Sequence, residues 1–338
     1  MRKIIKKVII VIVIVALVGT GVLTKKVYDR IFSTIGRIDH DGIVTINPED
    51  EDFETSASTA PQQTTKEDIA VKIEEHLFPT VEPINHEPLI NILLVGQDQK
   101  EEDTTRQRSD VMMLCSYNTE TNEVHITSFL RDLYVRIPGG YSNNKLNAAY
   151  HFGGFRLLYD TLLQNFGVRI DGGVEIDFHG FVDIVDMLGG VDIYLTAEEA
   201  PYVSTNSTEG INHLNGRKAL NYARTRKTDD DFGRTERQRK VLIALFEKVR
   251  NADAETVSDI IDRVLTMVKT DMTDASIASL VAALLPKMST LKITTHCVPS
   301  KGNFMYGYAR GMQVLIPDNE KIRNTIEAEY LPWSTANN

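Results

Sequence analysis

Between residues 217 and 240 the chain carries nine Lys or Arg and four Asp or Glu, a net charge of +5 in a 338-residue protein whose formal charge is −10. Five of these cations are arginines in two tight groups, Arg224 with Arg226, and Arg234 with Arg237 and Arg239. A guanidinium presents a planar fork of donors that matches two oxygens of a phosphate. Arginine concentrated in one place on an acidic protein suits a small polyanion. A long nucleic acid would ask for a broad basic surface, and the chain has no nucleic-acid motif, no P-loop and no Gly-x-Ser-x-Gly turn. His125, His151, His179 and His296 have no metal-ligand spacing and read as ordinary structural or surface histidines. Glu175, Asp177 and Asp183 offer a glycosidase-like carboxylate pairing, but Asp177 and Asp183 sit near a helix start, where capping or solvent exposure accounts for them.

The elements that must position these residues follow from apolar patterning. Leu89–Val95, Val111–Tyr117 and Val124–Leu130 read as strands, the last two joined by a turn at Asn118–Asn122. If neighbours are antiparallel, the end of the first strand lies beside the start of the second and the end of the third. Asp98, Arg108, Asp110 and Arg131 then gather at one end of a sheet. Arg108 and Asp110, two apart, point the same way from a strand. Arg224 and Arg226 share a side only if extended. Arg234 and Gln238, four apart, share a helix face, with Arg237 close to it. The helix starting after Asp229–Gly233 turns a positive N-terminus toward the same region, which suits a phosphate. Two carboxylates among several arginines suggest a hard cation bridging phosphates, most simply Mg²⁺, which takes a few carboxylates, waters and substrate oxygens.

Further along, helices are predicted at Asn143–Phe152 and Phe155–Phe166, a strand at Val174–Phe178, and a helix at Gly180–Leu188 ended by Gly189-Gly190. Val191–Leu195 is a strand. Asn215–Tyr222, Arg234–Arg250, Val257–Val268 and Asp274–Met288 read as helices, Leu291–Val298 as a strand and Asp318–Tyr330 as a last helix. Strands and helices intermingle, which predicts a layered α/β domain around a mixed sheet. Cys115 and Cys297 are too few for a disulfide framework and read as buried thiols.

The N-terminal part is different. Val8–Thr24 is uncharged and apolar, 17 residues long, and reaches about 25 Å as a helix. Flanking lysines can snorkel to cover the rest of a bilayer. Arg2, Lys3, Lys6 and Lys7 favour a cytoplasmic N-terminus, and no small-x-small cleavage site precedes Lys25, so the segment reads as a retained anchor. Residues 31–90 hold thirteen acidic and three basic residues, and their Ser-, Thr- and Gln-rich part lacks the apolar surface to fold. The predicted organisation is a cytoplasmic tail at 1–7, a single transmembrane anchor at 8–24, an acidic extracellular spacer at 25–86, a catalytic domain at 87–332 and a short tail at 333–338.

Within that domain the chain resembles the LytR–CpsA–Psr (LCP) proteins of Gram-positive bacteria. The resembling segments are Leu93–Asp98, Arg108-Ser109-Asp110, Ser128–Asp132, Lys145–Tyr150, Leu188–Asp192, Leu214-Asn215-Gly216, Tyr222–Arg226, Asp231–Arg234 and Arg237-Gln238. The resemblance implies a mixed central sheet with helices on both faces. It also implies transfer of a glycopolymer, such as teichoic acid or capsule, from a polyprenyl pyrophosphate carrier to peptidoglycan. Asp98 and Asp110 would serve Mg²⁺, with Arg131 beside them in catalysis. Arg108, Arg131, Arg224, Arg226, Arg234 and Gln238 would hold the pyrophosphate, with Lys100 and Arg237 assisting. The prenyl chain would lie in an apolar pocket for which Phe152, Phe155, Phe166, Phe178 and Phe181 are candidates. Lys100 stands where the family often has Arg, and Leu130 where it usually has Pro. The partners implied are the lipid-linked glycan, the peptidoglycan acceptor and the membrane, with no nucleic acid. A pyrophosphohydrolase and a non-catalytic envelope anchor remain the alternatives, because transfer and hydrolysis differ only in the acceptor.

Overall fold

The computed structural model describes residues 36–37, 81–85, 87–97, 108–226, 230–250 and 269–331. The anchor at 8–24, most of the spacer, Asp98, Lys100, the helix expected at Val257–Val268 and the tail at 333–338 lie outside the described residues. Among the described residues no helix is long and apolar enough to cross a membrane.

The apolar run Leu89–Gln97 (β2) is buried at almost every position, as expected of a strand covered on both faces. It is a central strand of a seven-stranded sheet in the order β1-β10-β7-β2-β3-β4-β11. Here β1 is Gly36–Arg37, β3 Ser109–Asn118, β4 Glu123–Phe129, β7 Gly172–Asp177, β10 Lys269–Thr270 and β11 Lys292–Val298. β2, β3 and β4 pair antiparallel, whereas β7 joins β2 and β11 joins β4 in parallel. The sheet is therefore mixed, and the expected gathering of strand ends holds.

Side-chain alternation divides the core. Ile92 and Leu94 of β2, with Met113 and Tyr117 of β3, face one layer of helices. That layer contains α2 (Phe178–Met187), α4 (Gly216–Arg224), α5 (Asp231–Arg250) and α6 (Asp274–Leu284). Leu93 and Val95, with Met112 and Leu114, face the opposite layer, built on α1 (Leu146–Phe166) and α7 (Asn319–Thr325). α1 breaks where two helices were expected to meet: Gly153 leaves the helical region and Gly154 takes φ +62°, ψ −150°, a conformation open almost only to glycine. α2 is capped by Asp177, which accepts from the Gly180 N–H at 2.8 Å, while Asp183 is exposed. Asp177 thus caps and Asp183 faces solvent, the two roles expected of them.

Three strand pairings went unforeseen, although Val191–Leu195 was itself the expected strand. Tyr134–Val135 (β5) pairs with Asn144–Lys145 (β6), Val191–Leu195 (β8) with Gly210–Leu214 (β9), and Phe304–Ala309 (β12) with Met312–Pro317 (β13). A short α3, Ala200–Val203, follows β8. The helix expected through Met288 stops at Leu284 and continues as a 3₁₀ segment, Leu285–Thr290. The last helix finishes as a π-turn at Ile326–Tyr330. Cys115 and Cys297 are both free.

Candidate active site

The site forms where β2 and β3 part company with regular pairing. A bulge falls between Gly96 and Gln97, a device common beside functional sites. Gly96 is required there, since a Cβ would come within 2.9 Å of the Val111 Cβ. At the start of β3, Arg108 and Asp110 are both half-buried with buried Ser109 between them. Arg131, just past β4, donates from Nη1 to Asp110 Oδ1 at 2.5 Å.

Arg131 is held firmly. Its carbonyl accepts from Asn147 at the start of α1, and the next carbonyl, of Asp132, accepts from Leu315 of β13 at 2.9 Å. Its Nε lies 3.7 Å from a carboxylate oxygen of both Asp132 and Asp231. Asp132 in turn pairs with Lys145 at 2.7 Å, and Asp231 with Arg234 at 2.9 Å. One network therefore links β3, the β4 exit, the start of α1 and the start of α5.

The electrostatics show how close the cations are. Burial depresses the Arg234 guanidinium, Asp231 opposes this, and the like charges of Arg131 and Arg226 depress it further. Burial also works against charge on Arg131, but the carboxylates of Asp132, Asp110 and Asp231 outweigh it and raise its pKa. The Asp231 carboxyl is pushed up by burial and by its neighbour Asp132. Asp132 is pulled down, its burial overcome by Lys145 and by a hydrogen bond with Asp231. Repulsion among crowded guanidinium groups is what an incoming polyanion relieves.

Below this cluster, on the α2–α4–α5 side of the sheet, lies an apolar cleft. Its walls include Leu94, Met113, Phe178, Phe181, Ala223 and Leu242, and Arg224 and Gln238 line it as well. A second apolar space continues along the same sheet face, sharing Leu94 and Leu242 and reaching Tyr117, Leu284 and Leu291. Arg224, the last residue of α4, places its guanidinium 4.5 Å from the Phe178 ring centre. Thr225 is buried with ψ +130°, so Arg224 and Arg226 emerge exposed on either side of it. Gln238 donates to the Ala223 carbonyl at 3.4 Å.

Several expectations are corrected. Phe152, Phe155 and Phe166 belong to the other side of the sheet, because α1 packs on the face opposite the cleft. Phe155 lies where a Gly173 side chain would be, Phe166 stacks on Phe129, and Phe152 stacks on Tyr141. Arg237 does not assist at the anion site. It is 2 % exposed and turns inward, donating to the Thr225 carbonyl at 2.6 Å and to Glu199 at 3.3 Å. The α5 N-terminus is also already occupied, since Asp230 Oδ1 accepts from the Phe232 and Gly233 N–H groups. Lys145, Asp132 and Asp231 were not singled out from sequence. The i, i+3 spacing of Asp231 and Arg234 was the available signal.

Asp110 bears on magnesium. Among the described residues no group of three His, Cys, Asp or Glu is arranged to hold a metal. Asp110 keeps its side chain 30 % exposed while bound to Arg131. One reachable carboxylate fits an ion that retains waters and takes its other oxygens from phosphates.

The LytR_cpsA_psr family model matches residues 50–329. The chain belongs to this family. A LytR_cpsA_psr architecture also explains the structural likenesses. Bacillus subtilis TagV aligns over 73 % of this chain and 98 % of its own, at 27 % identity and a TM-score of 0.58. The family protein YwtF (TagT), solved with bound octaprenyl pyrophosphate lipid, shares the fold at 22 % identity over 72 % of this chain and 90 % of its own, with a TM-score of 0.54. Among curated relatives, the polyisoprenyl-teichoic acid–peptidoglycan teichoic acid transferase TagU of Bacillus mycoides is 35 % identical over 187 residues, 54 % of this chain. The matched region spans 60 % of that relative's length.

Proposed function

We propose that this protein is a membrane-anchored phosphotransferase that moves a wall glycopolymer from a polyprenyl pyrophosphate carrier to peptidoglycan, assisted by Mg²⁺. One observation carries the reading: a cluster of arginines and aspartates sits at the mouth of an apolar cleft. Arg131, Arg226 and Arg234 provide for a diphosphate, and the cleft lined by Phe178, Phe181 and Leu242 provides for a prenyl chain. Family membership, the TagU name and the lipid bound to YwtF (TagT) support the same chemistry. The uncharged stretch at 8–24 supports anchoring with a cytoplasmic N-terminus and an external domain.

The reaction that fits is attack by a sugar hydroxyl on the glycan-side phosphorus, with polyprenyl phosphate as leaving group. The hydroxyl oxygen forms the new P–O bond, the bond to the bridging oxygen breaks, and the hydroxyl proton is lost. Charge grows on the phosphoryl oxygens, and preorganised guanidinium groups meet it without reorganising. Arg131 is pinned from three sides, so its fork is set before substrate arrives. Arg224, at the junction of cleft and cluster, takes the oxygens nearest the lipid. Asp110, with Asp98, would hold Mg²⁺, which would neutralise phosphoryl charge. The test uses full-length protein in detergent with lipid-linked glycan and peptidoglycan fragments, with and without Mg²⁺. A covalent glycan–peptidoglycan product, stimulated by Mg²⁺ and lost in Arg131→Ala and Arg234→Ala, is expected. Release of free glycan to water in the presence of acceptor would make the protein a hydrolase, and no turnover of the donor would overturn an enzymatic role.

A further inference from the structure

The β12–β13 hairpin stands beside the arginine cluster and carries the most exposed aromatic surface near it. Tyr306 is 64 % exposed and Tyr308 65 %. Strand alternation puts Phe304, Tyr306 and Tyr308 on one face, and cross-strand register adds Leu315 opposite Tyr306 and Gln313 opposite Tyr308. The other face, with Val314, Ile316 and Ala309, is buried around Tyr134. On the aromatic face Tyr306, Tyr308 and Gln313 are exposed while Leu315 is buried in the core of the α1 layer, and Met305 on the back is 56 % exposed.

The hairpin is rigid. Leu315 N–H binds the Asp132 carbonyl at 2.9 Å. The tip, Arg310-Gly311, has positive φ at both residues, which matches the twist of a tight hairpin. Arg310 also donates to Ser142 Oγ at 2.6 Å. Rings continue inward from Tyr306 to Phe304 (5.2 Å between centres) and on to Phe232 at the start of α5 (5.6 Å). Tyr306 and Gln313 line the same groove as Arg131, Asp132 and Asp231. One end of the aromatic stripe thus opens on the reacting centre.

We infer that this groove is the subsite for the acceptor, a neutral pyranose strand laid along Tyr306, Tyr308 and Gln313. The inference rests on the transferase reading above. An exposed planar ring beside an amide is the chemistry that recognises a sugar: the C–H face of a pyranose packs on the aromatic face while Gln313 and the tyrosine hydroxyls meet its hydroxyl and acetamido groups. Tyr306 and Tyr308 are about 6.7 Å apart along the strand, a spacing on the scale of one sugar unit. Charge selects between the two glycans of the reaction. The groove has three carboxylates, Asp132, Asp230 and Asp231, against two cations, Arg131 and Lys145. Both cations are already ion-paired. Away from Arg131, the groove's carboxylates repel a phosphate-bearing donor polymer, whereas sugar hydroxyls donate to them.

The experiment compares full-length wild type with Tyr306→Ala/Tyr308→Ala and with Tyr306→Phe/Tyr308→Phe. Binding of an uncharged N-acetylglucosamine tetrasaccharide is measured by titration calorimetry, lipid-linked donor binding separately, and transfer rates with peptidoglycan fragments against each substrate. The alanine pair is expected to raise the acceptor Kd and KM about tenfold with donor affinity unchanged, and the phenylalanine pair to recover most of the loss. Intact donor binding also shows that the alanine pair folds. Equal loss toward donor would assign the groove to the donor glycan, conversion of a dimer to monomer would assign it to a second copy, and no change toward either substrate would leave it a bare surface; each result overturns the inference. Wild type that binds the tetrasaccharide through these tyrosines but transfers nothing would sink the transferase reading and leave the subsite standing. Transfer with unaltered acceptor affinity in the alanine pair would do the reverse.

Discussion

Arg237→Met should separate scaffold from chemistry. Arg237 is 2 % exposed and Glu199 8 %, and the guanidinium bridges Glu199 to the Thr225 carbonyl. Glu199 is itself fixed by a reciprocal pair of bonds with Thr196, so it cannot swing out to water without giving up the Thr196 N–H. Methionine keeps most of the volume and removes both donors. An unpaired buried carboxylate then costs about 3–5 kcal/mol, with the orphaned Thr225 carbonyl contained in the same loss. For a domain of this size that lowers Tm by about 10 °C. Glu199→Gln in the same background removes the stranded charge, so the double variant should cost about 1–2 kcal/mol, less than Arg237→Met alone. Thr225 lies between Arg224 and Arg226, so the Arg237→Met protein should also bind polyprenyl pyrophosphate more weakly below its melting point. Thermal and urea denaturation of the full-length protein in detergent, followed by circular dichroism, give these numbers. A cost under about 1 kcal/mol, or a double variant worse than the sum of the singles, would refute the staple.

Asp110→Asn should lower transfer about a hundredfold or more and abolish the response to Mg²⁺ while the circular dichroism spectrum stays put. Initial rates over a Mg²⁺ series measure this, and a preserved response would move the ion elsewhere. Arg226→Ala with Arg234→Ala should cost less than the sum of the single effects on pyrophosphate affinity, because both act on one anion. Additive, mild losses would mean that they do not share it. Ala223→Phe should narrow the cleft and weaken a long-chain polyprenyl phosphate about tenfold, leaving a short-chain analogue unaffected; equal affinities across chain lengths would count against a lipid site. His296, which stacks on Tyr330 at 4.2 Å and lies 3.2 Å from a ring nitrogen of His125, is pushed down to about 4 by burial, with His125 and Arg239 adding to it. The unfolded chain then binds the extra proton, so this histidine makes stability fall as pH drops from about 6.5 toward about 4. His296→Gln should flatten that dependence in urea titrations, and an unchanged slope would remove His296 as its source.

The sequence was most readable where local pattern and tertiary role agree. β2, β3 and β4 are dense apolar runs around a polar turn, and their antiparallel pairing alone brings Arg131 to Asp110. The Gly153-Gly154 break in α1 was visible for the same reason: glycine pairs announce a backbone that helix cannot supply. Arg237 was not readable. Three residues from Arg234 on a helix, it sits at the border of that face, and its partner Glu199 is remote in sequence. The phenylalanines failed differently. Phe155 and Phe178 are equally apolar, and only the side of the sheet on which each helix packs separates core from cleft. The β12–β13 hairpin was missed because Met305, Tyr306 and Tyr308 show no apolar–polar alternation across its two faces. What settles its position is a backbone bond to Asp132, which no pattern records.

The spaces on one face of the sheet have a mechanical consequence. On the α1 side, Phe129 stacks on Phe166 and Tyr150 meets Phe155 edge-on. On the α2–α4–α5 side, two adjoining apolar spaces run along the strands. Hydrostatic pressure acts on empty volume, since unfolding under pressure scales with the voids it eliminates. Compression therefore acts on these spaces, and the helices over the cleft yield inward. Any chain that fills those spaces removes the volume that pressure works against and stiffens the helices over them.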